Sequence, residues 1–345
     1  MRPFYNDYCC SAHPAVLKAL SDLGSHDFTG YGTDSLSEKT RQLLLQRCGL
    51  ENHGTVWFMA GGTQTNAVIL SYLLRPWQGV ISADTSHIQY HEAGAIEASG
   101  HRVIDLPGEN GKISALQIKQ FCLRHEEDPT HDHMVQPGAV YISLPTETGM
   151  LYSLQELRDI SAVCRQFRLY LYIDGARLGY GMASPACDWT LKDLGALADA
   201  FYIGGTKQGA LLGEAAILTD RVSSEGFFSF MKQKGAVLAK GWIAALSFAV
   251  LFHDSLYMDL SRTAVRQALR IRRAMEEKGI SLRYPSLTNQ QFFIISNNDL
   301  ARLSSQFAFD IGAPSGPDHT QIRICTSWST AEADTEALLH AVKSL

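Results

Sequence analysis

The sequence predicts an α/β fold: a mostly parallel seven-stranded sheet with flanking helices, followed by a small C-terminal α/β domain. Three observations predict it. Seven short apolar runs bounded by turn residues alternate with longer segments of helical period, the order of a largely parallel sheet covered by helices. The 345 residues, 46% of them hydrophobic, supply a sizeable core and suit one large domain with a smaller one. From about Phe227 the pattern changes to long helices, then two strand-like runs and a closing helix.

In chain order, the strands are expected at Thr55–Met59, Gly79–Ala83, Arg102–Leu106, Ala139–Leu144, Leu169–Ile173, Ala200–Ile203 and Glu214–Leu218. Helices are expected at Asn66–Leu74, Ile113–Leu123, Leu154–Phe167 and Trp189–Leu197, where apolar residues recur at helical spacing. GWIAALSFAVLF, Gly241 to Phe252, is apolar on all sides but too short to span a bilayer, so it reads as a buried helix. QFFIIS and QIRICTS supply strands for the second domain, and its last helix begins at Ala331. The polar stretch HEEDPTHDHM, His125 to Met134, reads as a surface loop.

Composition narrows the function. A net charge of -5 gives no broad electrostatic reason to expect nucleic acid or an anionic membrane. Seven cysteines without CxxC spacing, and no basic-then-apolar secretory segment, fit a reduced, cytoplasmic protein. His125, His131 and His133 sit in an acidic loop without a second ligand cluster, so no metal is expected. RQALRIRRAMEEK, Arg266 to Lys278, is the charged face of a helix.

Three features fall at the expected C-terminal ends of strands, where open α/β sheets bind ligands. AGGTQTN places Gly61, Gly62 and Thr63 immediately before a helix, where backbone N–H groups suit a phosphate or, more plainly, form an ordinary helix start. LYLYIDGARLGYG ends an unbroken apolar strand in Asp174 with Arg177 close behind. A carboxylate there needs a partner, and an Asp174–Arg177 ion pair at the turn is the plain alternative to a functional one. FYIGGTKQG places Lys207 where a buried strand gives way to glycines, and a lysine is rarely buried unless paired or reactive.

One crossover separates Asp174 from Lys207, so the two can face one crevice. An amine, an acid and a phosphate cradle together suit pyridoxal phosphate, which needs a Schiff-base lysine, a partner for its ring nitrogen and an anchored phosphate. Lys207 is then the nucleophile, made reactive by partial desolvation and neighbouring cations.

With GGTQTN, DTSHIQYHEAGA, IDGARLGYG and IGGTKQG in this order, the chain resembles the L-threonine aldolase and β-eliminating lyase family of fold type I, aspartate-aminotransferase-like enzymes. The resemblance implies an N-terminal arm over 1–25, a pyridoxal-phosphate-binding large domain over 26–250 and a small domain over 251–345. It implies active sites shared across a homodimer, often within a tetramer. His87 resembles the imidazole that stacks on the cofactor ring near the substrate hydroxyl. Arg177 resembles the arginine beside the cofactor oxygen and the substrate carboxylate, and Arg323 the small-domain arginine that grips that carboxylate. Thr206 adds a phosphate contact, and Lys240 falls near the family's neighbour-subunit phosphate arginine. Ser11 and Tyr31 lie in a region that resembles the arm bordering the site.

The activity implied is cleavage of the Cα–Cβ bond of L-3-hydroxy amino acids, threonine or allo-threonine among them, to glycine and an aldehyde. β-Elimination and transamination remain open alternatives, because the fold permits each, and so does a non-catalytic cofactor carrier. Where many relatives carry a second histidine, ISLPTETGMLYS offers Thr146 and Glu147. Removal of the hydroxyl proton therefore falls to His87 through a water, or to Glu147 if burial raises its pKa. A side chain bulkier or more polar than that of threonine is expected to be preferred.

Overall fold

The computed structural model describes residues 1–345. Two helices, α1 (Pro14–Asp22) and α2 (Ser35–Cys48), precede the sheet. The order is then β1 (Gly54–Met59), α3 (Gly62–Leu73), β2 (Gln78–Ala83), β3 (Val103–Leu106), α4 (Ala115–Glu127), β4 (Gln136–Ser143), α5 (Leu154–Gln166), β5 (Tyr170–Asp174), α6 (Leu191–Leu197), β6 (Ala200–Gly204) and β7 (Glu214–Thr219). All seven expected strands are present, with ends shifted by a few residues. They form one sheet in the order β1-β7-β6-β5-β4-β2-β3. Strand β7 is antiparallel to β1 and β6, and every other pairing is parallel.

Apolar layers cover both faces. On one, Val68, Ile69 and Leu70 of α3 pack with Met59, Tyr141, Tyr172 and Tyr202. On the other, Leu44 of α2, Leu157 and Ile160 of α5 and Leu194 of α6 pack with Ile142, Ile173 and Ile203. Strands buried from both sides read as unbroken apolar runs, which is why their positions were visible in the sequence.

Helix ends depart from the expectation for local reasons. Helices α4, α5 and α6 each begin with a complete capping box, at Ser114/Gln117, Ser153/Glu156 and Thr190/Asp193. Helix α3 begins at Gly62 instead of Asn66, because its first turn, Gly-Thr-Gln-Thr, carries no apolar period; no side chain caps it. Helix α4 runs on to Glu127 and buries His125, so the polar loop starts only at Asp128. The all-apolar segment forms α7 (Trp242–His253), with Phe248 and Leu251 fully buried. No single helix is long and apolar enough to cross a membrane.

Helix α8 (Leu256–Glu277) leads from one sheet to another. Near its start, Tyr257 donates its hydroxyl to the Gly204 carbonyl at the end of β6, and near its end Ile271 and Met275 join the second core. That core lies under an antiparallel sheet of β8 (Ser281–Tyr284), β9 (Gln290–Ser296), β10 (Asp310–Pro314) and β11 (His319–Cys325), ordered β10-β11-β9-β8, and is closed by α9 (Glu332–Lys343). Strands β8 and β10 were not anticipated. They are the edges of this sheet, and DIGAP is exposed throughout and carries Gly and Pro, so no alternation marks it. The chain's N-terminus belongs here too: Arg2–Pro3 pair in parallel with Phe307–Ala308, and Phe4 is fully buried in the second core.

Candidate active site

Two glycines set the geometry at the C-terminal ends of β5 and β6. A Cβ on Gly175 would lie 1.9 Å from the Tyr202 carbonyl oxygen, and one on Gly204 would lie 2.4 Å from that of Ala176. Without side chains the two turns touch, and the Gly204 N–H donates to the Gly175 carbonyl. Asp174 and Lys207 thereby face one cavity of about 300 Å³. Gly61, Gly62, Thr63, His87, Arg177 and Thr206 also line it, as do the anticipated Glu147 and the unanticipated Tyr8, Glu92 and Glu214.

Asp174 is buried but fully satisfied. One carboxylate oxygen accepts the Ala176 N–H at 2.9 Å and the Tyr202 hydroxyl at 2.5 Å; the other accepts the Asn66 amide at 2.9 Å and the Tyr141 hydroxyl at 2.7 Å. Burial alone raises its pKa, but the neighbouring His87 ring and the bonds from Tyr141, Tyr202 and Ala176 outweigh it and hold the carboxyl below its ordinary range. It is therefore an anion at neutral pH. The simple Asp174–Arg177 pair does not form, since the donors around Asp174 come from the sheet, from α3 and from the Ala176 N–H of the turn itself.

Arg177 instead meets the arm. Its Nε and Nη2 donate to the two oxygens of Asp7 at 2.7 and 3.0 Å, and Asn289 adds a third bond to Asp7 at 2.9 Å. Burial would raise the Asp7 pKa, but Arg177 and Lys207 carry it down to about 2. A carboxyl whose folded pKa lies below its ordinary 3.8 contributes stability that is complete above that value and is lost as pH falls toward 2. Asp7→Asn is accordingly expected to cost about 2 kcal/mol at pH 7. The deficit should shrink on acidification, which urea unfolding at pH 7, 4 and 3 will measure; an equal deficit at every pH would mean that charge is not the cause.

Lys207 is half-buried, and its Nζ has no hydrogen-bond partner in the chain. Burial and the Arg177 cation lower its pKa, with Asp7, Asp174 and Glu214 opposing. A larger neutral fraction makes it a better nucleophile. His87 is held from both ends: its backbone N–H donates to Glu147 at 2.9 Å, and its Nδ1 lies 2.8 Å from the buried carboxylate of Glu92. The same Glu92 oxygen accepts from Asn66 at 2.7 Å, and Asn66 also donates to Asp174. With Nδ1 carrying the proton toward Glu92, Nε2 is the ring nitrogen left to accept one. Glu147 also accepts from the Ser143 hydroxyl at 2.5 Å; burial raises its pKa, and Ser143 and its own backbone N–H moderate the rise.

The donor set fits pyridoxal phosphate. A free amine, a carboxylate kept ionised and an uncapped helix start share one cavity, and the space where a Gly61 side chain would stand is empty. Gly61, Gly62, Thr63 and Thr206 are placed to hold the phosphate, Asp174 the ring nitrogen and Lys207 the carbonyl carbon.

Four anticipated residues lie outside this cavity. Ser11 is exposed, and the arm reaches the site through Asp7 and Tyr8 instead. Tyr31 is exposed, with the Lys232 ammonium 4.0 Å over its ring, and its N–H donates to the carbonyl of Ala239, next to the exposed Lys240. Tyr31 belongs to a separate surface, where it lines a depression of about 540 Å³ with Arg41, Trp57 and Phe228. Arg323 is bound by Asp310 at 2.8 Å, Gln290 at 2.9 Å and the Tyr5 carbonyl at 3.2 Å, while its buried Nε has no partner. Of the residues missed, Glu214 left a signal, a carboxylate opening the otherwise apolar EAAILT; Asp7, Asn66 and Glu92 left none.

A family model described as beta-eliminating lyase matches residues 6–298. A threonine aldolase from Leishmania major is 38% identical with a TM-score of 0.96, covering 100% of this chain and 99% of that one. A low specificity L-threonine aldolase from a Pseudomonas species is 27% identical over 99% of this chain and 96% of its own length. A second, from Pseudomonas aeruginosa, is 26% identical over 88% and 87%.

Proposed function

Because the chain belongs to the beta-eliminating lyase family, we propose that it is a pyridoxal-phosphate-dependent aldolase that cleaves L-3-hydroxy amino acids, threonine among them, to glycine and an aldehyde. The observation that carries this reading is the juxtaposition of an unpartnered amine, Lys207, with the ionised Asp174 and the imidazole of His87 in one cavity. Threonine aldolases over nearly the whole length of the chain support the substrate.

When bound, the cofactor supplies a sink for the electron pair that the broken Cα–Cβ bond leaves on Cα. The chain's own residues do the rest. Lys207 would hold the cofactor through its Nζ. Asp174, anionic at neutral pH, would keep the ring nitrogen protonated. Nη1 of Arg177, the nitrogen that Asp7 leaves free, is offered to the substrate carboxylate. His87 Nε2 takes the proton of the substrate hydroxyl, so the C–O bond becomes a carbonyl as Cα–Cβ breaks, and a proton returned to Cα completes glycine. Glu147 holds the His87 segment in place through its backbone N–H.

Assays of threonine, allo-threonine and phenylserine with identification of the products test this. Glycine and the matching aldehyde are expected, with phenylserine, the bulkier substrate, ahead of threonine in kcat/KM. His87→Asn should lower kcat by about 10²–10⁴-fold, the worth of a general base, and Glu147→Gln by less. A larger loss in Glu147→Gln would transfer the base role to Glu147. Pyruvate from cysteine, with no glycine from any of the three, would replace the aldolase reading by β-elimination.

The partner is a second copy of the chain. Tyr31, whose N–H bonds the residue before Lys240, lines a depression with the exposed Phe228 away from its own chain's cavity, and this supports a homodimer or homotetramer whose active sites are shared. Seven free thiols support a reducing, cytoplasmic location.

A further inference from the structure

Among the carboxylates lining the cavity, Asp174, Glu92 and Glu147 have tasks in the reading above, and Glu214 has none. It opens β7, paired in register with Met59 on one side and Gly204 on the other. Met59 immediately precedes the turn that enters α3, and Gly204 the turn that carries Thr206 and Lys207. Along β7 the side chains alternate, and Ala216 and Leu218 lie in the layer shared with α3, so Glu214 points to the face on which α3 begins. Its side chain is thus enclosed between the two segments expected to hold a phosphate.

The Gly205 N–H donates to a Glu214 oxygen at 2.9 Å, while Thr206 Oγ accepts the Gly213 N–H at 3.2 Å. An ionised Glu214 therefore claims a backbone donor of the turn that carries Thr206 and sets a negative charge beside the segments expected to hold a phosphate. Protonated, it loses that charge and has a hydroxyl of its own to donate.

The charges act in the same direction. The groups facing Glu214 are Lys207 after β6, Asp174 at the end of β5, and the tyrosines Tyr172 of β5, Tyr202 of β6 and Tyr257 of α8, all three held neutral by burial. Burial raises the Glu214 pKa and Asp174 adds to the rise, against Gly205, Thr206 and Lys207, leaving it at about 7. A phosphate dianion beside it raises it further.

We propose that Glu214 is the proton-linked element of the phosphate site: the cofactor phosphate is held with Glu214 protonated, so binding takes up a proton and retention weakens as pH rises. The inference rests on the cofactor reading of this cavity and adds to it a residue and a pH dependence.

The test compares pyridoxal phosphate with pyridoxal, which lacks the phosphate but makes the same attachment to Lys207. Protein stripped of cofactor is titrated with each between pH 7.5 and 9, where the phosphate is already a dianion. Calorimetry in two buffers of different ionisation enthalpy counts the protons. Pyridoxal phosphate should take up as much as one proton more than pyridoxal, and its Kd relative to pyridoxal should rise by up to about tenfold per pH unit. Glu214→Gln keeps an acceptor for Gly205 and is neutral at every pH, so the relative Kd should lose its slope. Equal proton counts for the two ligands in the wild type overturn the inference, however the variant folds, and so does an unchanged slope in Glu214→Gln. Failure of both ligands to bind at any pH overturns the cofactor reading and this inference with it.

Discussion

Lys207→Ala is expected to lower turnover by about 10⁴-fold or more, because one substitution removes both the covalent anchor and a group able to move a proton at Cα. The fold should survive it. Nζ makes no hydrogen bond, its burial is a cost to the lysine, and the carbonyl of residue 207, which accepts the Tyr180 hydroxyl at 2.6 Å, is unchanged by the substitution. Cofactor should still enter the variant, held through the phosphate and Asp174, but should wash out on dilution. Adding a small primary amine such as methylamine should restore part of the activity, since the reacting atom is an amine nitrogen and the cavity has room where the side chain was. In the wild type, borohydride reduction followed by peptide mapping should find the cofactor fixed to the peptide carrying Lys207. Label on another lysine, or near-normal turnover in Lys207→Ala, would take the anchor away from this residue.

That Lys207 and Asp174 stood out in the sequence has a physical basis. Asp174 ends its strand and Lys207 follows the end of its own within one turn; both strands are apolar because they are buried on both faces, and a charged residue just after such a run is conspicuous. The glycines beside them were visible as well, and the structure shows what they do: Gly175 and Gly204 let two turns come into contact. What could not be read was the set of partners. Asp7 pairs with Arg177 across 170 positions of chain, and Asn66 joins Glu92 to Asp174 from a helix whose first turn has no apolar period. Such contacts depend on which strands become neighbours, and nothing local encodes that. The Asp174–Arg177 alternative was suggested by spacing alone. It fails because four donors from β4, β6, α3 and the following turn already fill the Asp174 lone pairs, while Arg177 lies on the side of the turn facing the arm.

The arm illustrates the same limit. Residues 1–25 were expected to border the site, yet the segment does two jobs that its sequence does not separate. Its first residues add to the second domain, through Arg2–Pro3 and Phe4, and only then does Asp7 turn to Arg177, which lines the cavity. Asp7 is thus the point where the arm, the large sheet through Arg177 and the small sheet through Asn289 are tied together. A carboxylate buried at such a junction is stable only because both partners arrive with it.

Asp174→Asn is expected to lower kcat by about 10³-fold, within the range found when a preorganised charge is removed from a buried site. The side chain keeps its size but loses two properties. As an amide it cannot hold the cofactor ring nitrogen protonated, so the electron pair released at Cα is less well accepted. It also presents N–H2 where the carboxylate accepted on every side. Tyr141 or Tyr202 can turn a hydroxyl to accept from it, whereas the Asn66 amide group cannot. A modest loss of cofactor affinity should therefore accompany the large loss of rate, and saturating cofactor should repair only the former. A cofactor methylated at the ring nitrogen separates the two effects, since it carries a permanent positive charge and needs no proton held there. With that cofactor, Asp174→Asn should recover a large part of its lost rate while the wild type gains nothing. Near-normal turnover of Asp174→Asn with the ordinary cofactor would remove Asp174 from the chemistry; failure of the methylated cofactor to bring the variant back would confine its role to holding the site together.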